Sequence, residues 1–413
     1  MTDDIEIILI NLAGDDRPGV TAALTAILAK HNAGILDIGQ SDIHHKLSLG
    51  ILFRTTPEMS GEIMKDLLFK CYEMGVTISF TPISVEDYEA WVAREGKSRW
   101  IITLLGRTLT ARHIALVSSE IARQDLNIDS IRRLTGRMPI SDKVQPRSKS
   151  CVEFSVRGTP LDVDAMRRRF LEVSQAEEFD ISLQEDNVFR RCRRLICFDM
   201  DSTLIETEVI DELADRAGVG AQVRAITESA MRGEIDFTES FKRRVALLEG
   251  LDESVMKDIA ENLPITEGVE RMMQVLKRTG YKTAILSGGF TYFGNYLKQK
   301  FGFDYVYANE LEIVDGKLTG RHLGDIVDGK RKAELLRIIA QVENINIAQT
   351  IAVGDGANDL PMLSTAGLGI AFHAKPKVKQ TARQSISTIG LDGVLYFLGF
   401  KDSFIGAGDN PKD

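Results

Sequence analysis

Three short apolar runs in the second half of the chain, LICF (195–198), KTAIL (282–286) and TIAV (350–353), are each closed at once by a polar signature. The signatures read DMDST (199–203), SGGF (287–290) and GDGANDL (354–360). Runs without apolar–polar alternation belong to strands covered on both faces, and the long helical stretches between them predict a parallel α/β sheet from about Arg193 onward. In such a sheet, ligands bind beyond the carboxyl ends of the strands, where all three signatures fall. Between the first and second strands lie about four helical segments, 206–218, 221–232, 236–249 and 252–262. DFTE (236–239) opens the third as a capping box. This insertion reads as a helical cap over about 206–264, and ELEIVDGKLTGRHL (310–323) reads as a hairpin around Asp315-Gly316.

The first half carries a different pattern, twice. Residues 5–84 read strand, helix, strand, strand, helix, strand, and 99–184 repeat that order, the ferredoxin-like βαββαβ arrangement. Ile35 and Ile128 match at an offset of 93, and Pro57 and Pro160 match at an offset of 103. The extra residues lie in the polar hairpin RMPISDKVQPRSK (137–149), which is expected to be mobile. Polar DYEAWVAREGKS (87–98) and EDNVFRRCRR (185–194) read as linkers. The expected domains are thus 1–86, 99–185 and 190–400, followed by a Gly-rich, disordered tail over 401–413.

A net charge of -9 argues against general affinity for nucleic acid or an anionic membrane, so an anionic substrate needs a local cation or metal. Cys71, Cys151, Cys192 and Cys197 show no metal-type spacing and read as reduced thiols of a cytoplasmic protein. The start MTDDIEIILINL places acids before a short apolar run, the wrong order for a signal peptide. No apolar run reaches the roughly 18 residues of a membrane helix. His44-His45 fit an exposed hairpin, Met272-Met273 fit a helix core, and His373 and Cys197 need no functional role.

Each signature alone is an ordinary turn or helix cap; three in sequence, each after an apolar strand, form a chemical set. Asp199 and Asp201, one residue apart, repel and raise one another's pKa unless a cation or hydrogen bonds hold them. Asp199 is placed to attack phosphorus. Asp199 and Asp355 can share a hard divalent cation such as magnesium, and Asp359 can hold a metal-bound water. Ser287 and the backbone N–H groups of Gly288 and Gly289 can cradle phosphate oxygens. Asn358 can donate to the phosphate or position its neighbours. Lys332, at the start of the helix KAELLRIIAQV, supplies a fixed positive charge. Asp201 can protonate a leaving alkoxide and later deprotonate water, with an aspartyl phosphate on Asp199 between the two steps.

DMDST, SGGF, Lys332 and GDGAND together resemble the four motifs of the haloacid dehalogenase-type phosphatases over roughly 190–400, and in detail that superfamily's phosphoserine phosphatase group. The resemblance implies magnesium held by Asp199, Asp355 and the backbone carbonyl of Asp201. It implies that Glu208 takes the substrate ammonium and Arg244 its carboxylate, with Phe237 and Met231 as walls. It further implies hydrolysis of O-phosphoserine to serine, the last step of serine biosynthesis. A phosphatase or phosphotransferase for another amino-acid phosphate, such as phosphohomoserine, is the alternative. An amino-acid-sensing protein with an inert catalytic half is a second alternative, against which the intact acid set argues.

The repeats resemble ACT domains, modules that often bind amino acids between paired copies; this implies a homodimer and an effector such as serine. GDDRPGV (14–20) and AGILDI (33–38) carry that likeness, with Gly14, Asp16 and Gly19 in the loop before the first helix. The second copy has GRTLTAR (106–112) instead and lacks the Arg-Pro-Gly turn.

Overall fold

The computed structural model describes residues 5–93, 96, 98–137 and 148–405. The hairpin tip 138–147 and the tail beyond 405, expected to be mobile, lie outside the described residues. The chain divides into two compact units between residues 97 and 98.

The first unit is one βαββαβ module with strands β1 (Glu6–Asp15), β2 (Gly34–Ile43), β3 (Lys46–Thr55) and β4 (Thr77–Ile83), in sheet order β2-β3-β1-β4. Helices Val20–Lys30 and Pro57–Met74 cover one face. Their apolar stripe (Leu24, Leu28, Ile63, Leu67) packs on Ile8, Ile10, Ile51 and Phe53, all fully buried. Gly14, expected in the loop before the first helix, belongs to β1, because the ladder with β3 continues through Gly14↔Leu47 to Asp15↔Lys46. His44 and His45 form the exposed turn between β2 and β3. The polar stretch 87–98, read as linker, overlaps the helix Val85–Val92. Ser84 caps that helix by accepting from the Asp87 N–H at 3.0 Å, and Glu86 and Asp87 sit in its first turn, where the helix dipole favours acids.

The second unit opens with the second module: β5 (Arg99–Gly106), β6 (Asn127–Arg133), β7 (Ser150–Arg157) and β8 (Asp180–Glu185), in order β6-β7-β5-β8. Both modules break ladder register at the equivalent place, between Ile35 and Asp37 in one and between Ile128 and Ser130 in the other. The expected offset of 93 therefore extends to a shared bulge.

A seven-stranded sheet follows: β9 (Leu195–Phe198), β10 (Lys282–Phe290), β11 (Tyr305–Val314), β12 (Lys317–Leu323), β13 (Thr350–Gly354), β14 (Leu368–Phe372) and β15 (Gln384–Ile386). Its order is β12-β11-β10-β9-β13-β14-β15, parallel except for the β11–β12 hairpin. β9 is central, and the chain moves to β10 on one side and β13 on the other. That reversal is the topological switch point at which open α/β sheets bind ligands.

The cap comprises four helices, Val209–Arg216, Gly220–Met231, Phe237–Ala246 and Ser254–Glu261. Its two connections to the sheet pair with each other: Glu206 N–H donates to Pro264 O at 2.8 Å and Thr266 N–H to Leu204 O at 3.1 Å, around an Ile205↔Ile265 bridge. Of the DFTE capping box, the described half is Asp236 accepting from the Glu239 N–H at 2.7 Å.

The second module is built onto the sheet domain. Leu105, Leu134 and Cys151 join the same apolar core as Phe198, Ile351 and Tyr396. Gln384 on β15 exchanges two hydrogen bonds with the backbone of Leu183 on β8, at 2.7 and 3.0 Å. Fully buried Asp180 accepts from the backbone N–H groups of Ser387 and Thr388 and from the Thr388 hydroxyl, at 2.9, 3.0 and 2.6 Å. All four cysteines are free thiols.

Candidate active site

The site is assembled at the carboxyl ends of β9, β10 and β13. Backbone of β9 and β13 remains paired up to the site, where Asp199 N–H donates to Val353 O at 2.9 Å. Asp199 follows β9 and is nearly buried; its Oδ1 accepts from the Met200 N–H at 2.7 Å. Lys332 enters from the helix Gly329–Val342, which Asp328 caps through the Arg331 N–H at 2.8 Å. Its ammonium is wholly buried and lies 2.8 Å from Asp199 Oδ1 and 2.7 Å from Asp359 Oδ1. Asp359 is also completely buried and accepts from the Gly356 N–H at 3.0 Å. Carboxylate oxygens of Asp199, Asp355 and Asp359 lie within 4.8 Å of one another.

This cluster is short of positive charge. Burial raises the Asp199 carboxyl well above the ordinary range; Asp359 adds to the rise and Lys332 opposes it. Asp355 is pushed up to about 7 by burial, with Asp359 and Glu208 adding. Burial alone would depress the Lys332 ammonium, yet Asp199 and Asp359 hold it above its usual value. Hard oxygen donors this close, answered by one lysine, fit a hard divalent cation. The Asp201 carboxylate stands outside the cluster, turned toward the Val209 N–H, which donates to its Oδ1 at 3.0 Å. Burial, then Glu208, raises its pKa strongly.

SGGF closes the next side. The Ser287 hydroxyl is buried and accepts from the Gly289 N–H at 2.9 Å. A Cβ at position 289 would collide with Asp201 Oδ2 and the Met200 methyl, so glycine lets this turn approach the acid without displacing either side chain. Asn358 lies half-buried in the turn after β13.

From the cap, Phe237 reaches down until a Cβ at Gly288 would sit 3.0 Å from its ring. Phe237, Phe241 and Arg244 share one helix face by their spacing, with Phe241 in the core and Phe237 stacked on it at 6.3 Å. Arg244 is half-buried, unlike its exposed neighbours Lys242 and Arg243. Burial lowers the Arg244 guanidinium, while Glu208, Asp211 and Asp201 oppose that shift. Glu208, at the N-cap of Val209–Arg216, is open to solvent through the cleft yet enclosed by protein. That enclosure raises its carboxyl, against the Ser202 hydroxyl, which donates to it at 2.9 Å, and against Arg244. Met231 ends the helix Gly220–Met231 and is 62% exposed, the least enclosed of the expected walls.

Three further residues contribute: Asn309 and Asp211, outside the signatures, and Thr203, the last residue of DMDST. Asn309 on β11 donates to Gly288 O at 2.7 Å and accepts from the Val327 N–H at 2.8 Å, fixing the SGGF turn. Thr203, wholly buried, turns its hydroxyl toward Asp355 Oδ1 at 3.5 Å. Asp211 lies one helical turn after Glu208, with a buried Oδ1 that has no hydrogen-bond partner among the described residues. In the first module, Asp16 and Gly19 are exposed and Gly14 is half-buried. Gly19 takes φ +97° as the N-cap of Val20–Lys30, a backbone shape that favours glycine, and no side chain caps that helix start.

Family models match in three places: an ACT domain over 6–81, a second ACT domain over 98–184, and a haloacid dehalogenase-like hydrolase over 196–364. The phosphoserine phosphatase of Streptomyces coelicolor is 37% identical over 412 residues, covering 100% of this chain and 97% of that protein. The phosphoserine phosphatase of Mycobacterium tuberculosis is 39% identical over 403 residues, covering 97% and 95%. Among solved structures, a probable phosphoserine phosphatase from Vibrio cholerae is 35% identical with a TM-score of 0.57, covering 74% of this chain and 87% of that one.

Proposed function

The chain belongs to the phosphoserine phosphatase family of haloacid dehalogenase-like hydrolases, with two ACT domains before the hydrolase domain, and from that premise we propose that it hydrolyses O-phospho-L-serine to L-serine and phosphate. One observation carries the reading: Asp199, Lys332, Asp355 and Asp359 converge under a cap that presents Glu208 and Arg244.

Arg244 grips the substrate carboxylate, for which a guanidinium fork is suited, and Glu208 takes its ammonium. Phe237 packs the carbon chain against the SGGF turn, and Met231 edges the entrance. Ser287, the Gly288 N–H and Asn358 hold the phosphoryl oxygens, while the Gly289 N–H, expected to join them, donates to the Ser287 hydroxyl and orients it. Asp199 then attacks phosphorus through a carboxylate oxygen. The bond from phosphorus to the serine oxygen breaks, and Asp201 gives that oxygen its proton. The raised pKa of Asp201 suits it to carry this proton. In the second half, Asp201 takes a proton from water, the water oxygen bonds to phosphorus, and the bond to Asp199 breaks. Lys332 stays fixed beside Asp199 and offsets the charge that gathers on the phosphoryl group. Asp199, Asp355 and the Asp201 backbone carbonyl would hold magnesium, with Asp359 within reach, and the ion would supply the positive charge that the acid cluster and phosphoryl oxygens lack.

The enzyme serves the last step of serine biosynthesis and works as a cytoplasmic homodimer. The exposed apolar side chains Ile38, Leu68 and Phe69 of the first module support pairing of copies. Serine or another amino acid binds the first module at the end of β1, where Gly14 lies, and at the turn of Asp16 and Gly19 that follows. The test is phosphate release from L-phosphoserine, L-phosphothreonine and phosphohomoserine, with and without magnesium. Magnesium-dependent release fastest from L-phosphoserine supports the reading; no release from it, or faster release from either of the others, sinks it.

A further inference from the structure

The loop after the first strand separates the two modules. In the first module it is the exposed turn 16–19 within GDDRPGV; in the second it falls in GRTLTAR, and the first arginine there is already engaged. Arg107 donates two hydrogen bonds to the Glu267 carboxylate, from Nη1 at 2.9 Å and from Nη2 at 2.6 Å. Both side chains are about a third exposed or less, at 31% and 25%, so the fork is partly shielded from solvent.

Position 267 is not an ordinary surface site. Thr266, its neighbour, closes the cap's return connection by donating to Leu204, and Ile265 is bridged to Ile205. Glu267 is thus the first residue on the fixed side of the cap's paired connections. Its backbone carbonyl is held as well, accepting from the Leu391 N–H at 2.7 Å.

The same end of the second module makes further holds nearby. Lys149 donates to buried Asp392, which also accepts from Arg271 at 2.8 Å. The Gly136 N–H donates to Asp402 at 2.7 Å, and Asp402 also accepts from Arg271 at 2.9 Å. Arg271 lies on Val269–Arg278, the helix that continues directly from the return connection. Of three loop positions of the module, 107 thus holds Glu267 directly, while 149 and 136 reach Arg271 through Asp392 and Asp402.

We propose that Arg107 is a positioning residue for the phosphatase: through Glu267 it fixes the base of the cap's return connection, so the second ACT module is a working part of the catalytic unit. The proposal rests on the phosphoserine reading for its kinetic arm only. A cap that carries Glu208 and Arg244 must return them to one place to grip substrate, and that place is defined from the residues at which the cap is anchored. Releasing the anchor spreads the cap over more positions. Fewer of those are competent to bind, which lowers apparent affinity more than the chemical step.

The test uses the full chain and compares wild type with Arg107→Ala, Arg107→Lys, Glu267→Gln and the Arg107→Ala/Glu267→Gln pair. Amide hydrogen exchange needs no substrate. In Arg107→Ala, exchange at Glu206 and Thr266 should quicken by roughly fivefold, the size of a partly shielded ion pair, while amides of β9 and β13 keep their rates. With L-phosphoserine, KM should rise at least threefold and kcat should stay within about twofold. Glu267→Gln should match Arg107→Ala, the pair should be no worse than either, and Arg107→Lys should recover part of the loss. Wild-type exchange at Thr266 and Glu206 would overturn the proposal. So would uniformly faster exchange across the fold, which marks a merely structural contact, or single effects that simply add in the pair. Should the substrate reading itself fail, no variant would turn over L-phosphoserine, while the exchange result would still decide the role of Arg107.

Discussion

The sheet side and the cap side of the site are built in opposite ways. On the sheet side, Asp199, Lys332 and Asp359 sit at strand ends or on the helix beside them, almost without solvent, each held by at least one short hydrogen bond. On the cap side, Glu208 and Met231 are open, Arg244 is half-buried, and the three sit on different helices. The buried side strengthens charge effects because water does not screen them, and it needs no rearrangement when charge develops. The open side leaves room for a substrate to enter. Under the proposed reading, chemistry falls to the buried half and selection to the open half.

That division can be broken by experiment. The largest effect is expected for Asp199→Asn, which removes the attacking carboxylate: kcat should fall roughly 10⁴-fold or more for every phosphate ester, with the fold retained by circular dichroism. Lys332→Met comes next. It leaves buried acids without their cation, so kcat should fall roughly 10²–10³-fold and stability should drop by about 3 kcal/mol in a metal-free urea titration. Arg244→Ala should raise KM for L-phosphoserine by roughly 10–100-fold, the worth of one charge-assisted contact. It should change phenyl phosphate hydrolysis less than about threefold, since that ester has no carboxylate. An equal loss on both substrates would erase the distinction between the halves.

Proton competition on the sheet side gives a smaller signal. Burial, with Asp359 beside it, pushes the Asp355 carboxyl up from 3.8 to about 7, so its carboxylate is scarce in acid. The magnesium concentration for half activity should therefore fall about tenfold per pH unit as pH rises toward 7, then level off. The folded form binds this proton more tightly than the unfolded chain. Its contribution to metal-free stability is therefore full below 3.8 and is lost as pH rises through about 7. Met231→Ala, at an exposed wall, should change kcat/KM by less than about twofold.

How far the sequence carries this picture depends on range. Asp199, Ser287 and Asp355 were legible because each follows an apolar run, though Ser287 still lies within β10, and local order alone places strand ends together in a parallel sheet. The two modules were legible because their pattern repeats, down to the bulges after Ile35 and Ile128. Asn309 was not, since its partners at Gly288 and Val327 lie 21 and 18 residues away and nothing around it marks the contact. Arg107 and Glu267, 160 residues apart, were invisible for the same reason. The helix Val85–Val92 was hidden by polar composition: none of its residues is buried, so it lacks the apolar stripe that reveals helices, and its Ser84 cap is a weaker signal.

The central claim is that a bond forms between an Asp199 oxygen and phosphorus while serine departs. Rapid acid quench of the magnesium-loaded enzyme with L-[32P]phosphoserine, followed by peptide mapping, tests it directly. The account predicts transient, hydroxylamine-labile label on the peptide containing Asp199, absent from Asp199→Asn. Full turnover with no protein-bound label at any quench time, or label on another residue, would contradict it.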